Sequence, residues 1–126
     1  MKIVRTDCEL HLPEVDAALR ADGHELVLLP DGVLEDRLVA EMVDAGLILM
    51  CYTPIPERVI AAAPKLKGIV KYGVGIDAID IPAATARGIP VVNIPEYAEE
   101  TVAEGAFALM IALLKQLPRL ERAMKA

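Results

Sequence analysis

The chain has 126 residues, enough for one core-bearing domain, and a formal net charge of −6. An acidic chain is a poor partner for nucleic acid or for anionic membranes, so neither is expected. Hydrophobic residues make up 55% and aromatics only 3%, and a mix so rich in Val, Ile, Leu and Ala suits parallel strands buried on both faces.

The elements follow in order. Lys2–Arg5 reads as a strand and Thr6–Cys8 as the loop after it. Leu12–Ala21 reads as a helix with Val15, Ala18 and Leu19 on its apolar face and Asp22-Gly23 as its stop. Glu25–Leu29 is a second strand, and Val33–Val43 a second helix with Leu34, Leu38 and Met42 four residues apart. Leu47–Cys51 is a third, wholly apolar strand. The loop Tyr52–Pro56 follows it, and then a helix over Glu57–Ala63 that stops at Pro64. Gly68–Lys71 is the fourth strand, Pro82–Arg87 a short helix stopped by Gly88, and Ile89–Val92 the fifth strand. Glu96–Ala126 is a long helical pattern with a break or kink expected at Pro118.

Strand and helix alternate five times, which predicts a doubly wound α/β domain with a five-stranded parallel sheet. Ligands in such sheets bind outside the carboxyl ends of the strands. Four loops fall on that edge: Thr6–Cys8, Tyr52–Pro56, Gly73–Asp77 and Asn93–Glu96. The third, Lys71-Tyr72-Gly73-Val74-Gly75-Ile76-Asp77, is the stretch around which the chain is organised. Glycine lets the backbone reach φ > 0 and lets a ligand approach closely, and successive N–H groups there can hold an anion. The same pair of glycines would also serve a turn that is tight for steric reasons alone.

Cys8 and Cys51 are the two cysteines. Cys51 reads as a buried, reduced thiol, and neither has a neighbour at metal-ligand spacing. Met1–Arg5 enters a strand pattern directly, so no secretory leader is read and a cytoplasmic location is expected. The longest apolar run, 102–117, carries Glu104 and Lys115, which argues against a membrane span.

Four motifs stand in a definite order: Ala63-Pro64-Lys65-Leu66-Lys67, Tyr72–Asp77 with Ile79-Asp80, Ala86-Arg87-Gly88-Ile89-Pro90-Val91-Val92-Asn93 with Pro95, and Thr101-Val102-Ala103-Glu104. In that order and spacing the chain resembles the N-terminal part of the D-isomer-specific 2-hydroxyacid dehydrogenases, most strongly from Ala61 to Leu114. The resemblance implies a flavodoxin-like substrate-binding lobe over 1–97. It implies, over 98–126, an apolar crossover helix leading toward an NAD domain. No Gly-x-Gly-x-x-Gly fingerprint occurs in the sequence, and the family's catalytic arginine, glutamate and histidine have no counterpart in it. The expectation is therefore a lobe that binds a small 2-hydroxy or 2-oxo acid. NAD or NADP would serve the complete enzyme without binding this chain tightly, and no catalytic or metal-ligating residue is assigned.

By the same resemblance, the N–H groups of Val74 and Gly75, in the loop opened by Gly73, would hold the acid's carboxylate. Tyr52 sits where relatives place a polar group that touches the substrate, the alternative being an aromatic packed at the sheet edge. Val74 and Thr101 would lie near the nicotinamide. Phosphoglycerate enzymes tend to carry arginine and serine where Met50 and Cys51 stand, which counts against a phosphorylated substrate. Lys71 reads as a solvated charge at a strand end, Asp80 as a helix N-cap, and Asp77 as a tie between the glycine loop and its neighbours. Gly105 stands where many relatives have histidine, and His11 and His24 read as surface residues.

The competing reading is a stand-alone flavodoxin-like binding or assembly module. A receiver domain would need a carboxylate after the third strand, where Cys51-Tyr52 stand, and a flavodoxin would need a Ser/Thr-rich loop after the first. Val102, Phe107, Leu109, Met110, Ile111, Leu113, Leu114 and Leu117 surround the last helix, so a homodimer through 98–126, with or without exchange of helices, is expected.

Overall fold

In the computed structural model, which describes residues 1–8 and 12–125, the chain forms two units, Met1–Pro95 and Glu96–Ala126. His11 lies outside the described residues.

The first unit is a five-stranded, wholly parallel sheet in the order β2-β1-β3-β4-β5, built from β1 (Lys2–Arg5), β2 (Glu25–Leu28), β3 (Ala45–Met50), β4 (Ile69–Lys71) and β5 (Val91–Val92). This is the flavodoxin-like order, and strand order reverses between β1 and β3. β3 is apolar along its length and is paired on both sides, which is why Ile48 and Met50 are fully buried. Val4 and Ile69 join them in the core from the neighbouring strands.

Helices α1 (Pro13–Ala21), α2 (Glu35–Met42), α3 (Glu57–Ala61) and α4 (Ile81–Ala86) connect the strands. Two of them end as the sequence suggests. Gly23 (φ +78°) and Gly88 (φ +63°) take the left-handed conformation just past α1 and α4, and the next residue's N–H reaches back to Leu19 O and Ala84 O. α4 starts as expected too, because Asp80 accepts the Ala83 N–H at 2.9 Å. Arg87 then donates from Nη2 to the carbonyl of Ala63 at 2.8 Å and from Nη1 to that of Ile60, closing the carboxyl end of α3.

Two readings of faces change. The apolar face assigned to α1 is not buried: Val15 and Ala18 are exposed, and the buried residue is Asp16. The cause is Arg5 at the end of β1, whose guanidinium needs a partner on the overlying helix and finds it in Asp16. In α2 the stripe holds for Leu38 and Met42, while Leu34 is the exposed N-terminal flank.

The second unit holds α5 (Glu99–Leu114) and α6 (Leu117–Lys125), bent by 56°. The break falls at Gln116 (φ +52°) rather than at Pro118. Pro118 has no N–H to donate to the carbonyl of residue 114, so the helix breaks and bends before it and proline takes a place in the first turn of α6. No single helix among the described residues is long and apolar enough to cross a membrane.

Candidate functional site

The four loops at the carboxyl edge of the sheet are stitched to one another in spatial order. β1 runs into Thr6-Asp7, and β3, its neighbour, runs into Cys51-Tyr52-Thr53. The Asp7 carboxylate, only 5% exposed, lies between them at the reversal point. Its Oδ2 accepts the Cys51 N–H at 2.7 Å and the Thr6 hydroxyl at 2.8 Å. Its Oδ1 accepts the N–H groups of Tyr52 (3.2 Å) and Thr53 (2.9 Å). The Thr53 hydroxyl is 2.8 Å from Oδ1 and 3.0 Å from the Thr6 carbonyl, either of which it can donate to. Burial alone would push the Asp7 carboxyl up, but the bonds from Cys51, Thr6, Thr53 and Tyr52 together outweigh it and hold the group below the ordinary carboxylate range.

Next in order, the Tyr52–Pro56 loop meets the turn that follows the glycines. Ile55 N–H donates to Ala78 O at 2.7 Å, Asp80 N–H donates to Ile55 O at 3.0 Å, and Ile55 and Ile79 form a parallel bridge. On the far side, the loop after β5 holds the glycines themselves. Ile94 N–H donates to Gly73 O at 3.0 Å, and the Asn93 side-chain amide donates to Val74 O at 2.7 Å. The tie expected of Asp77 is thus made by Asn93: Asp77 is exposed, and its side chain makes no hydrogen bond among the described residues.

The loop so fixed presents Val74 and Gly75 to solvent, and their N–H groups have no acceptor among the described residues. Gly73 takes a positive φ of +156°, a backbone that residues with a Cβ rarely adopt, so the φ > 0 read from the glycine pair is met at Gly73 and not at Gly75. What Gly75 supplies is room, since a Cβ there would stand 3.2 Å from Asp77 Oδ2. An open cleft of about 450 Å³ runs beside this loop, with Ile76, Ile81, Thr85, Ile89 and Asn93 on its walls. The loop does not open a helix, because α4 starts only at Ile81. It therefore lacks the helix N-terminus against which a dinucleotide pyrophosphate binds.

Lys71 is not the solvated charge its position suggests. It is buried, its ammonium donates to the carbonyl of Cys51, and its Nζ lies 5.1 Å from the centre of the Tyr52 ring. Tyr52 itself is 65% exposed at the mouth of the edge. Cys51 is buried and not in a disulfide, as expected, with its Sγ 3.5 Å from the Tyr72 carbonyl. Behind the loop, burial pushes the Tyr72 phenol up, with Arg5 drawing it down and Asp16 adding to the rise. His24 is half-buried. Thr101 is exposed on α5 in the second unit, and Val74 belongs to the first. Among the described residues, no cluster of His, Cys, Asp and Glu can hold a metal ion.

The profile of the D-isomer specific 2-hydroxyacid dehydrogenases, catalytic domain, matches residues 4–115. The chain belongs to this family. It is 41% identical over 96 residues to the D-3-phosphoglycerate dehydrogenase of Mycobacterium tuberculosis, a match covering 75% of this chain and 18% of that protein. To the D-3-phosphoglycerate dehydrogenase of Archaeoglobus fulgidus it is 39% identical over 108 residues, 85% of this chain and 20% of the other. Among solved structures, the NAD+-bound 3-phosphoglycerate dehydrogenase of Entamoeba histolytica superposes with a TM-score of 0.74 at 30% identity, covering 89% of this chain and 38% of that one. The Aquifex aeolicus D-lactate dehydrogenase, complexed with NAD and lactic acid, gives 0.76 at 28% identity, covering 99% and 37%. The chain thus spans about a fifth of the length of these curated 2-hydroxyacid dehydrogenase relatives. Asp7 and Asn93 are edge residues to which the sequence pattern gives no role of their own, and Lys71 is one that it reads as solvated. A carboxylate placed just past the first strand, opposite a Thr in the loop after the third, was the available signal.

Proposed function

We propose that this chain is the acid-binding lobe of an NAD(P)-dependent D-2-hydroxyacid dehydrogenase, in which the N–H groups of Val74 and Gly75 hold the carboxylate of a 2-hydroxy or 2-oxo acid. One observation carries the reading. These two amides face solvent without a protein acceptor among the described residues, on a loop whose carbonyls at Gly73 and Val74 are both held from the β5 side. A carboxylate accepts charge-assisted hydrogen bonds from such donors. A loop fixed at both flanks offers them without further ordering.

In hydride transfer the reacting carbon must be held at a set distance from the nicotinamide, and an anion clamp contributes by positioning. Tyr52, whose ring lies over Lys71, is the polar group we assign to the acid's edge. Val74 and Thr101 are assigned to the nicotinamide side of the complete enzyme. Residues 98–126 would be its crossover helix. The lobe by itself would bind acid without turnover, since the sequence holds no Gly-x-Gly-x-x-Gly for the cofactor. None of the residues of α5 is buried, and Phe107, Leu109 and Leu113 are among its exposed side chains. A second copy of the chain is accordingly our assignment for the surface of 98–126. We place the enzyme in the cytoplasm.

The test is an amide NMR titration of the 126-residue chain with pyruvate, glyoxylate and D-lactate, then with NADH. Saturable shifts at Val74 and Gly75 with the acids, and none with NADH, are expected. Acids that move neither amide would remove the reading.

A further inference from the structure

Cys51 and Tyr52 are joined by one peptide unit, and that unit is gripped at both ends by opposite charges. Its carbonyl, on Cys51, accepts from the buried Lys71 ammonium. Its N–H, on Tyr52, donates to Asp7 Oδ1 at 3.2 Å. A cation on the oxygen polarises the amide and makes the N–H a better donor to the anion, so the two contacts reinforce each other. The neighbouring units are pinned as well, through the Cys51 and Thr53 N–H groups on the same carboxylate. Asp7 and Lys71 share no direct ion pair among the described residues. Their charges meet through the backbone. Lys71 also faces the Tyr52 ring, so the one cation holds both the peptide and the side chain of that residue.

We infer that Asp7 and Lys71 are positioning residues that fix Tyr52, an otherwise exposed side chain, at a set place beside the glycine loop. The placement follows from the sheet. β3 and β4 are paired, so the loop carrying Tyr52 and the loop carrying Val74 and Gly75 leave adjacent strands at the same edge. An exposed tyrosine in an unpinned loop would sample many orientations, and one that must meet a bound acid would lose that freedom on binding. The clamp removes the loss in advance. The link to an acid rests on the proposed function; the fixing of Tyr52 does not.

The chain contains three tyrosines, Tyr52, Tyr72 and Tyr97, so meta-fluorotyrosine labelling gives a resonance for each, assigned by changing each tyrosine to Phe. Lys71→Met and Asp7→Asn should each shift and broaden the Tyr52 resonance while that of Tyr97 stays in place. Pyruvate affinity, read from the Val74 and Gly75 amides, should fall by about tenfold, the scale of one lost hydrogen bond to a charged group. Thr53→Val removes one donor to Asp7 without removing the charge, and serves where Asp7→Asn does not fold. It should give a smaller shift of the same resonance. A Tyr52 resonance unchanged in the folded variants overturns the clamp. A moved resonance with unaltered pyruvate affinity overturns its part in acid recognition. If the unaltered chain shows no pyruvate shifts, the acid site fails, and the Tyr52 resonance alone still decides the clamp.

Discussion

The Arg5 guanidinium donates to Asp16 Oδ1 at 2.5 Å, with the two side chains 3% and 9% exposed, joining the end of β1 to α1. Breaking a buried pair leaves one bare charge, which costs about 3–5 kcal/mol, whereas replacing both members with apolar residues is often neutral. Arg5 Nε has no partner among the described residues, so the pair is itself incompletely satisfied. Arg5→Met or Asp16→Leu alone should therefore lower stability by about 3 kcal/mol or more, while the double variant should lie well above either. Urea unfolding of the three chains checks this.

Asp7 makes stability depend on pH. Its carboxyl titrates below the ordinary 3.8 in the folded chain, so the unfolded chain takes up the proton more readily. The contribution is complete above about pH 5 and is lost as pH falls through the lower folded value. Asp7→Asn should cost about 2–4 kcal/mol at neutral pH, because backbone donors lose a charged acceptor. The gap between the two chains should narrow steadily when urea melts are repeated from pH 5 to about pH 3.

Two changes in the glycine loop should separate binding from folding. The Cβ of Gly75→Ala meets only the far end of the exposed Asp77 side chain, at 3.2 Å, so stability should change by less than about 1 kcal/mol. On the proposed function, pyruvate affinity should nonetheless fall by about tenfold, since a methyl beside the Gly75 N–H crowds the approach of the carboxylate assigned to it. Asp77→Asn removes a like charge near the same amides and should tighten binding by about two- to fivefold at low salt, with the gain shrinking as salt is added. NMR titration at two ionic strengths reads both.

Gln116 takes φ +52°, just past α5, a conformation that costs a side-chain-bearing residue about 1 kcal/mol. Its N–H donates to Leu113 O at 3.0 Å, the usual closing bond of a helix that ends in a left-handed residue. Gln116→Gly should retain the bend and slow amide exchange over the last turn of α5 by a few-fold. Gln116→Val should speed it.

Much of the fold was legible because it rests on repeated signals. The apolar runs of β1 and β3 and the glycine stops at Gly23 and Gly88 each say one thing, and the alternation of strand and helix then leaves few topologies. The glycine loop was legible for the same reason. The stitching of the edge was not, because it depends on side chains that meet only after the sheet has formed. Asp7 reaches across to residues 44–46 positions later, and Asn93 reaches back to Val74. Lys71 looked solvated because lysine at a strand end usually is; its acceptor, a backbone carbonyl in another loop, leaves no trace in local sequence. Asp16 was hidden in an apolar stripe whose partner lay in β1.

The first strand of the chain is an inner strand of the sheet. Lys2–Arg5 pairs with Glu25–Leu28 on one side and with β3 on the other. During synthesis those first residues must wait, paired on one edge at most, until Ala45–Met50 has emerged. The glycine loop waits longer, for Asn93 and Ile94 to close over Gly73 and Val74. During synthesis, strand pairing can therefore proceed only from the β2 edge toward β5, and the partners of the Gly73–Val74 turn are the last to emerge. A nascent chain halted before residue 93 would carry most of a sheet and a glycine loop without the two bonds that fix its carbonyls.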